Sequence, residues 1–152
     1  LTITAWRVVK QRFADTAFDG EGAREFGGRW NTVGFAMVYT AATTSLALLE
    51  ILVNSDAVLL PHYLSIPLHI DEAVVETVDA RLLPDDWRAN PPPFELKNFG
   101  VEWLESQRSV VLQVPSAVVP HESNFLINPA HPDFGSVEIG EAVVIDTDTR
   151  LR

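Results

Sequence analysis

The sequence contains no cysteine. That absence removes disulfides, thiolate nucleophiles and cysteine-bound metals, and it fits a reducing cytoplasm. Positive charge is scarce too: 11 Lys and Arg stand against 21 Asp and Glu, a net charge of −10. Such a surface repels a phosphate backbone and no basic run offsets it, so direct nucleic-acid binding is not expected. Long apolar runs are missing. No stretch approaches the roughly 20 residues that span a bilayer, and no membrane segment is expected. The opening LTITAWRVVK lacks a basic region followed by an apolar one and does not read as a secretory signal. The histidines, His62, His69, His121 and His131, show no His-x-x-x-His spacing, so no metal site is expected. A His121–Ser116 catalytic pair has no positive support, and no Gly-x-Ser-x-Gly elbow surrounds Ser116.

What is present is an ordinary globular composition. With 152 residues, 47% of them apolar, the chain is long enough to bury one core without staples, and residues 1–152 are expected to form a single domain. Residues 3–9, ITAWRVV, read as a first strand, and 14–34 as a long glycine-rich loop. FAMVYT (35–40) reads as a short buried strand. AATTSLALLEILVN reads as a helix, with Thr43, Thr44 or Ser45 as N-cap and Asn54 as the stop. AVLLPHYLSIPLHI (57–70) and AVVETVD (73–79) read as strands interrupted by Pro61 and Pro67. The proline-rich 81–100 reads as a connection, and NFGVEWLESQ (98–107) as a second helix. SVVLQVPSAVVP reads as two strands broken at Pro115, 121–135 as a loop, and EAVVID as a last strand. The sum is an α+β domain, a twisted and mostly antiparallel β core with few short helices and more strand than helix.

One helix stands out. From Leu46 to Val53 it is apolar nearly all round, which predicts burial, and Glu50 is its only charge. A buried carboxylate must be paired or meet a large desolvation cost, so Glu50 is half of a structural ion pair, a Glu at the one exposed edge of the helix, or a functional group. Arg29, in EFGGRWNTVG, is the second candidate. Its planar fork suits phosphate or carboxylate, and Gly28 lets a ligand approach. The structural alternatives are a pair with Glu50 or stacking on Trp30. Ser116 follows a strand break and either binds a ligand or satisfies a turn. Tyr39 ends a buried strand with its hydroxyl as a polar handle toward a cleft. Arg7, mid-strand in AWRVV, is a secondary candidate for a ligand-facing cation.

Taken together, GEGAREFGGRWNTVGFAMVYTAATTSLALLEILV, LPDDW and VLQVPSAVVPHESNFLINPAHPDF resemble the RES domain family, named for an arginine, a glutamate and a serine. These map onto Arg29, Glu50 and Ser116. The resemblance implies a fold related to the mono-ADP-ribosyltransferase toxins, membership of RES-Xre toxin–antitoxin pairs, and an activity that destroys NAD by hydrolysis or phosphorolysis. NAD is then a substrate rather than a cofactor, with inorganic phosphate as a possible co-substrate and ADP-ribosyl transfer to a macromolecule as the alternative outcome. A non-catalytic binding module on the same fold is the alternative of another class. The implied partner is an Xre-type antitoxin covering the cleft; a homodimer stays open. Glu50 would face the reacting ribose and Arg29 the diphosphate. Tyr39 would pack on nicotinamide or its ribose and Ser116 would hydrogen-bond substrate, with Arg7, Gly28, Trp30 and Asn31 around them. HESN departs from the acidic-aromatic pair that often precedes the Asn, which leaves the roles of His121 and Glu122 open.

Overall fold

Strand-forming residues of TITAWRVVK put Thr2–Lys10 in an extended ribbon, β1, whose neighbours alternate between two faces of one sheet. A computed structural model describes residues 1–54 and 62–151. After β1 come α1 (Glu21–Phe26), β2 (Val38–Ala41), α2 (Thr44–Val53), β3 (Tyr63–Asp71) and β4 (Val75–Thr77). The chain continues through α3 (Phe94–Ser106), β5 (Val111–Pro115), β6 (Ser123–Ile127), β7 (Glu138–Ile139) and β8 (Val143–Val144). The strands form one sheet in the order β4-β5-β6-β2-β1-β3-β7, with β8 also paired to β3. Every pairing is antiparallel except β4 with β5.

Register assigns the faces. Trp6 is opposite Ala41, Ala41 opposite Asn124, and Asn124 opposite Val114, so these four positions share one face. Tyr39, Leu126 and Leu112 lie on it as well. This face carries both longer helices. Leu46 and Ala47 of α2 pack on Val8, Ala41 and Tyr63. Leu96, Trp103 and Leu104 of α3 pack with Leu112, Val114, Leu126 and Trp30. Burying a side chain such as Leu46 stabilises the packing by roughly 1.5–3 kcal/mol. The opposite face gathers Ala5, Val38, Leu68, Ile70, Val111, Phe125 and Ile127 into a second core closed by Val137.

Several expectations change. Ser123–Ile127 is a central strand, not a loop, and is buried through Phe125, Leu126 and Ile127. Beyond Pro115 the chain does not resume a strand; it turns, because Ser116 Oγ captures the N–H groups of Val118 and Val119. The 14–34 loop contains α1, and α3 starts at Phe94, inside the supposed connection. The last strand shrinks to Val143–Val144. α2 is not buried all round: Leu49 and Val53 are exposed, and only Leu46 and Ala47 are fully covered. Short 3-10 turns bring helical residues to 31% against 28% strand, which reverses the expected excess of strand. Residues 57–61 of the supposed middle strand, with Pro61, lie outside the described residues.

Candidate active site

Glu50 is placed by the start of its helix. Thr43 caps α2, its Oγ1 accepting from Leu46 N at 3.0 Å, and Asn54 ends it by donating to the Glu50 carbonyl at 2.8 Å. The Glu50 side chain then reaches over the ends of β5 and β6. Ser116 Oγ donates to Oε2 at 3.0 Å and Asn124 Nδ2 donates to Oε1 at 2.8 Å. Both partners are neutral, so the carboxylate is oriented without being neutralised. Burial raises its pKa above the ordinary carboxylate range; Asn124, Ser116 and, more distantly, Arg29 oppose the shift, while Glu122 adds to it.

Each donor is itself fixed. Ser116 is fully buried, and its oxygen accepts from Val118 N at 3.1 Å and Val119 N at 3.2 Å while its proton goes to Glu50. The hydroxyl is spent, so Ser116 positions Glu50 and offers nothing to a substrate. Asn124 also donates to the Thr40 carbonyl at 3.2 Å, tying Glu50 to β2. Asn124 was not singled out from sequence. The signal for it is that a strand over 123–127 turns this side chain toward the helices, and that strand was read as loop.

Arg29 occupies a tight turn. Gly28 and Asn31 pair across it, with Gly28 N donating to Asn31 O at 3.0 Å, and Arg29 and Trp30 form its tip. Trp30 is 2% exposed and packs edge-to-face on Phe99, and Gly100 of α3 makes room for it: a Cβ there would stand 1.8 Å from the Trp30 carbonyl oxygen. With Trp30 turned into the core, Arg29 stays half-buried beside the 87–89 segment. Neither structural alternative holds. Arg29 forms no ion pair with Glu50 and does not stack on Trp30; instead Nη1 donates to the carbonyls of Trp87 at 2.9 Å and Ala89 at 3.0 Å. Its Nε and Nη2 make no hydrogen bond to the described residues. Partial burial lowers its pKa and the nearby Tyr39 and Glu50 raise it, so the guanidinium sits within the field of that carboxylate.

Tyr39, Gly28 and Asn31 build this turn rather than presenting polar groups to a ligand. Tyr39 OH donates to Asn31 Oδ1 at 2.6 Å and accepts from Trp30 N at 3.0 Å, and burial drives its phenol pKa upward. Asn31 is fully buried, with Nδ2 donating to the carbonyls of Ala23, Thr32 and Phe35. The space a Gly28 Cβ would fill is taken by the Tyr39 hydroxyl, 2.6 Å from that position, so the glycine admits tyrosine and not a ligand. Lys97 of α3, also not singled out beforehand, donates to the Gly28 and Asn31 carbonyls and clamps the turn from outside.

Arg7 does not join the site. Alternation from Trp6 puts it on the opposite sheet face, where Nε donates to Ala17 O at 3.0 Å and Nη1 to Tyr39 O at 3.1 Å. Burial lowers its pKa, opposed by Asp19. It is a structural arginine. His121 is exposed, and Glu122 lies close enough to Glu50 to act on it electrostatically. Among the described residues no three His, Asp or Glu side chains converge as metal ligands, and no helix is long and apolar enough to cross a membrane.

Fold and candidate site together define an α+β protein carrying one oriented carboxylate and, within its electrostatic reach, one arginine docked on main-chain carbonyls. The chain belongs to the RES domain family, whose profile matches residues 4–148. It is 38% identical over 130 residues to the "Toxin Res" of Photorhabdus laumondii, covering 85% of this chain and 83% of that one. It is 41% identical over 140 residues to the "Prs ADP-ribosylating toxin" of a Sphingobium strain, covering 88% and 86%. Among solved structures, that of the M. tuberculosis MbcT–MbcA toxin–antitoxin complex superposes with a TM-score of 0.76 over 95% of this chain and 85% of that one. At 17% identity that likeness speaks to the fold alone.

Proposed function

We propose that this chain is the toxin of a toxin–antitoxin pair and that it cleaves the bond between nicotinamide and ribose in NAD. The observation that carries the chemistry is the Glu50 carboxylate, held by Ser116 and Asn124 and, among the described residues, by no cation. In this bond cleavage the C–N electron pair leaves with the pyridinium nitrogen. Nicotinamide departs neutral, and no general acid has to protonate it. What the protein must supply is a fixed negative charge against the oxocarbenium-like ribose, with acceptors for its hydroxyls. Glu50 meets that requirement because its two partners orient it while leaving its charge uncancelled. Arg29, whose Nε and Nη2 bond to none of the described residues, is the group for the diphosphate.

The relatives named as toxins support the biological half of this reading. An Xre-type antitoxin lying over the cleft, in the bacterial cytoplasm where NAD is met, completes it. A second reading, transfer of ADP-ribose to a macromolecule, is favoured by the name of the Sphingobium relative. Both begin with the same bond cleavage and differ in acceptor. Purified protein incubated with NAD, with and without phosphate, separates them: ADP-ribose, an ADP-ribose phosphate and a labelled protein are distinct products. Absence of nicotinamide release under all of these conditions would refute both.

A further inference from the structure

The segment around Trp87 and Ala89 lies between the Arg29 turn and the Ser116 turn and touches both. It is shaped by consecutive turns, Trp87 N donating to Pro84 O at 3.0 Å and Ala89 N to Asp86 O at 2.8 Å. On one side its carbonyls receive Arg29. On the other, Arg88 Nε donates to the carbonyl of Ala117 at 2.9 Å. Ala117 follows Ser116 and lies inside the turn whose N–H groups hold the Ser116 oxygen. One run of contacts thus leads from Arg29 through residues 87–89 and Arg88 to the Ser116 turn, and from Ser116 to Glu50.

The cations of this acidic chain divide between two kinds of partner. Acidic residues outnumber basic ones 21 to 11. Arg24, Arg81, Arg108 and Arg150 accordingly pair with carboxylates. Among the described residues Arg7, Arg29, Arg88 and Lys97 donate instead to main-chain carbonyls, and the bonds of the last three tie together the Arg29 turn, the 87–89 segment and the Ser116 turn. An exposed arginine in so acidic a chain has carboxylates to choose from. One that binds a backbone carbonyl instead fixes the course of the chain.

We infer that Arg88 is a positioning residue, latching the Arg29-bearing side of the cleft to the Ser116 turn that orients Glu50. Without the latch, the 116–119 turn and the 87–89 segment relax independently, and Ser116 donates to Glu50 less constantly. Ser116 favours the ionised carboxylate, so the acid limb of a pH–rate profile then moves to higher pH. The other groups acting on Glu50, Asn124, Arg29 and Glu122, are left in place. The activity part of this argument rests on the proposed NAD cleavage; the structural part does not.

The test compares the whole chain with its Arg88→Ala, Arg88→Lys, Ser116→Ala and Arg88→Ala/Ser116→Ala forms. Amide hydrogen exchange at Val118 and Val119 reads the turn directly. Arg88→Ala should speed it about tenfold without changing the sheet amides, and Arg88→Lys, which keeps a donor, should restore most of the protection. Unchanged exchange at Val118 and Val119 overturns the inference, whatever the activity. In nicotinamide release from NAD, Arg88→Ala should lower kcat/KM about tenfold and shift the acid limb upward, and the double variant should be little worse than Ser116→Ala alone. Additive losses would also overturn it, because Arg88 would then act on the substrate and not through Ser116. If the unaltered protein releases no nicotinamide, it is the NAD reading that fails, and the exchange result still decides the latch.

Discussion

Replacing Glu50 by Gln tests the centre of the site at nearly constant volume. The carboxylate accepts from two donors, Ser116 at 3.0 Å and Asn124 at 2.8 Å. A glutamine amide has one oxygen, so one donor would face an NH2 group. Ser116 has no easy reversal, since its oxygen already accepts from Val118 and Val119. Asn124 has none either, since turning its amide would set an oxygen against the Thr40 carbonyl. The variant therefore loses one hydrogen bond to a charged group, about 1.5–3 kcal/mol, and regains part of it because no charge is desolvated. A net cost of about 1–2 kcal/mol lowers Tm by roughly 2–8 °C in a domain of this size. The protein stays folded. Removing the charge that opposes the ribose cation should slow nicotinamide release by about 100-fold or more. Thermal unfolding and product analysis on the same sample give both numbers. A folded Glu50→Gln protein that turns over NAD at the original rate would refute the catalytic assignment.

Three further outcomes follow from the same geometry. With the Glu50 pKa raised chiefly by burial, kcat/KM for nicotinamide release should fall with acid through a value above the ordinary carboxylate range. Between those two values the folded chain holds a proton that the unfolded chain has released, so stability should decline as pH rises across that window, and Glu50→Gln should abolish this decline. Gly28→Ala sets a methyl 2.6 Å from the Tyr39 hydroxyl oxygen and 3.0 Å from Asn31 Oδ1, which should cost about 1–3 kcal/mol and raise KM for NAD several-fold as Arg29 shifts; an unchanged KM would detach the turn from substrate binding. Arg7→Ala leaves the Ala17 and Tyr39 carbonyls without their donor and should cost about 2–4 kcal/mol of stability with KM unaltered, whereas a raised KM at full stability would return Arg7 to the site.

The sequence made the helix around Glu50 legible because its N-cap and its lone charge are local features. The same locality hid β6. Ser123–Ile127 is a central strand with both faces covered along Phe125–Ile127, so it shows no alternation, and prolines at 120 and 129 give it the outline of a loop. Asn124 was lost with it, although it is as close to Glu50 as Ser116 is. The glycine-rich stretch was read as room for a ligand. Its tight spots are filled instead by the protein, Gly28 by Tyr39 and Gly20 by Ala36 and Met37. Close approach is a property that glycine advertises in a sequence, but what approaches is a tertiary fact.

That distinction also explains Arg29. The two structural partners considered for it were a carboxylate and an indole, the groups for which a sequence offers residue types. The partners it has are backbone carbonyls of Trp87 and Ala89, which every residue carries and no motif can mark. Carbonyls hold a guanidinium in place while leaving its full charge uncancelled, as Ser116 and Asn124 hold Glu50. Had Arg29 and Glu50 paired with each other, each would have silenced the other's field. Kept apart by neutral partners, they leave one negative and one positive group within electrostatic reach of each other. A dinucleotide whose ribose turns cationic while its diphosphate stays anionic calls for that arrangement.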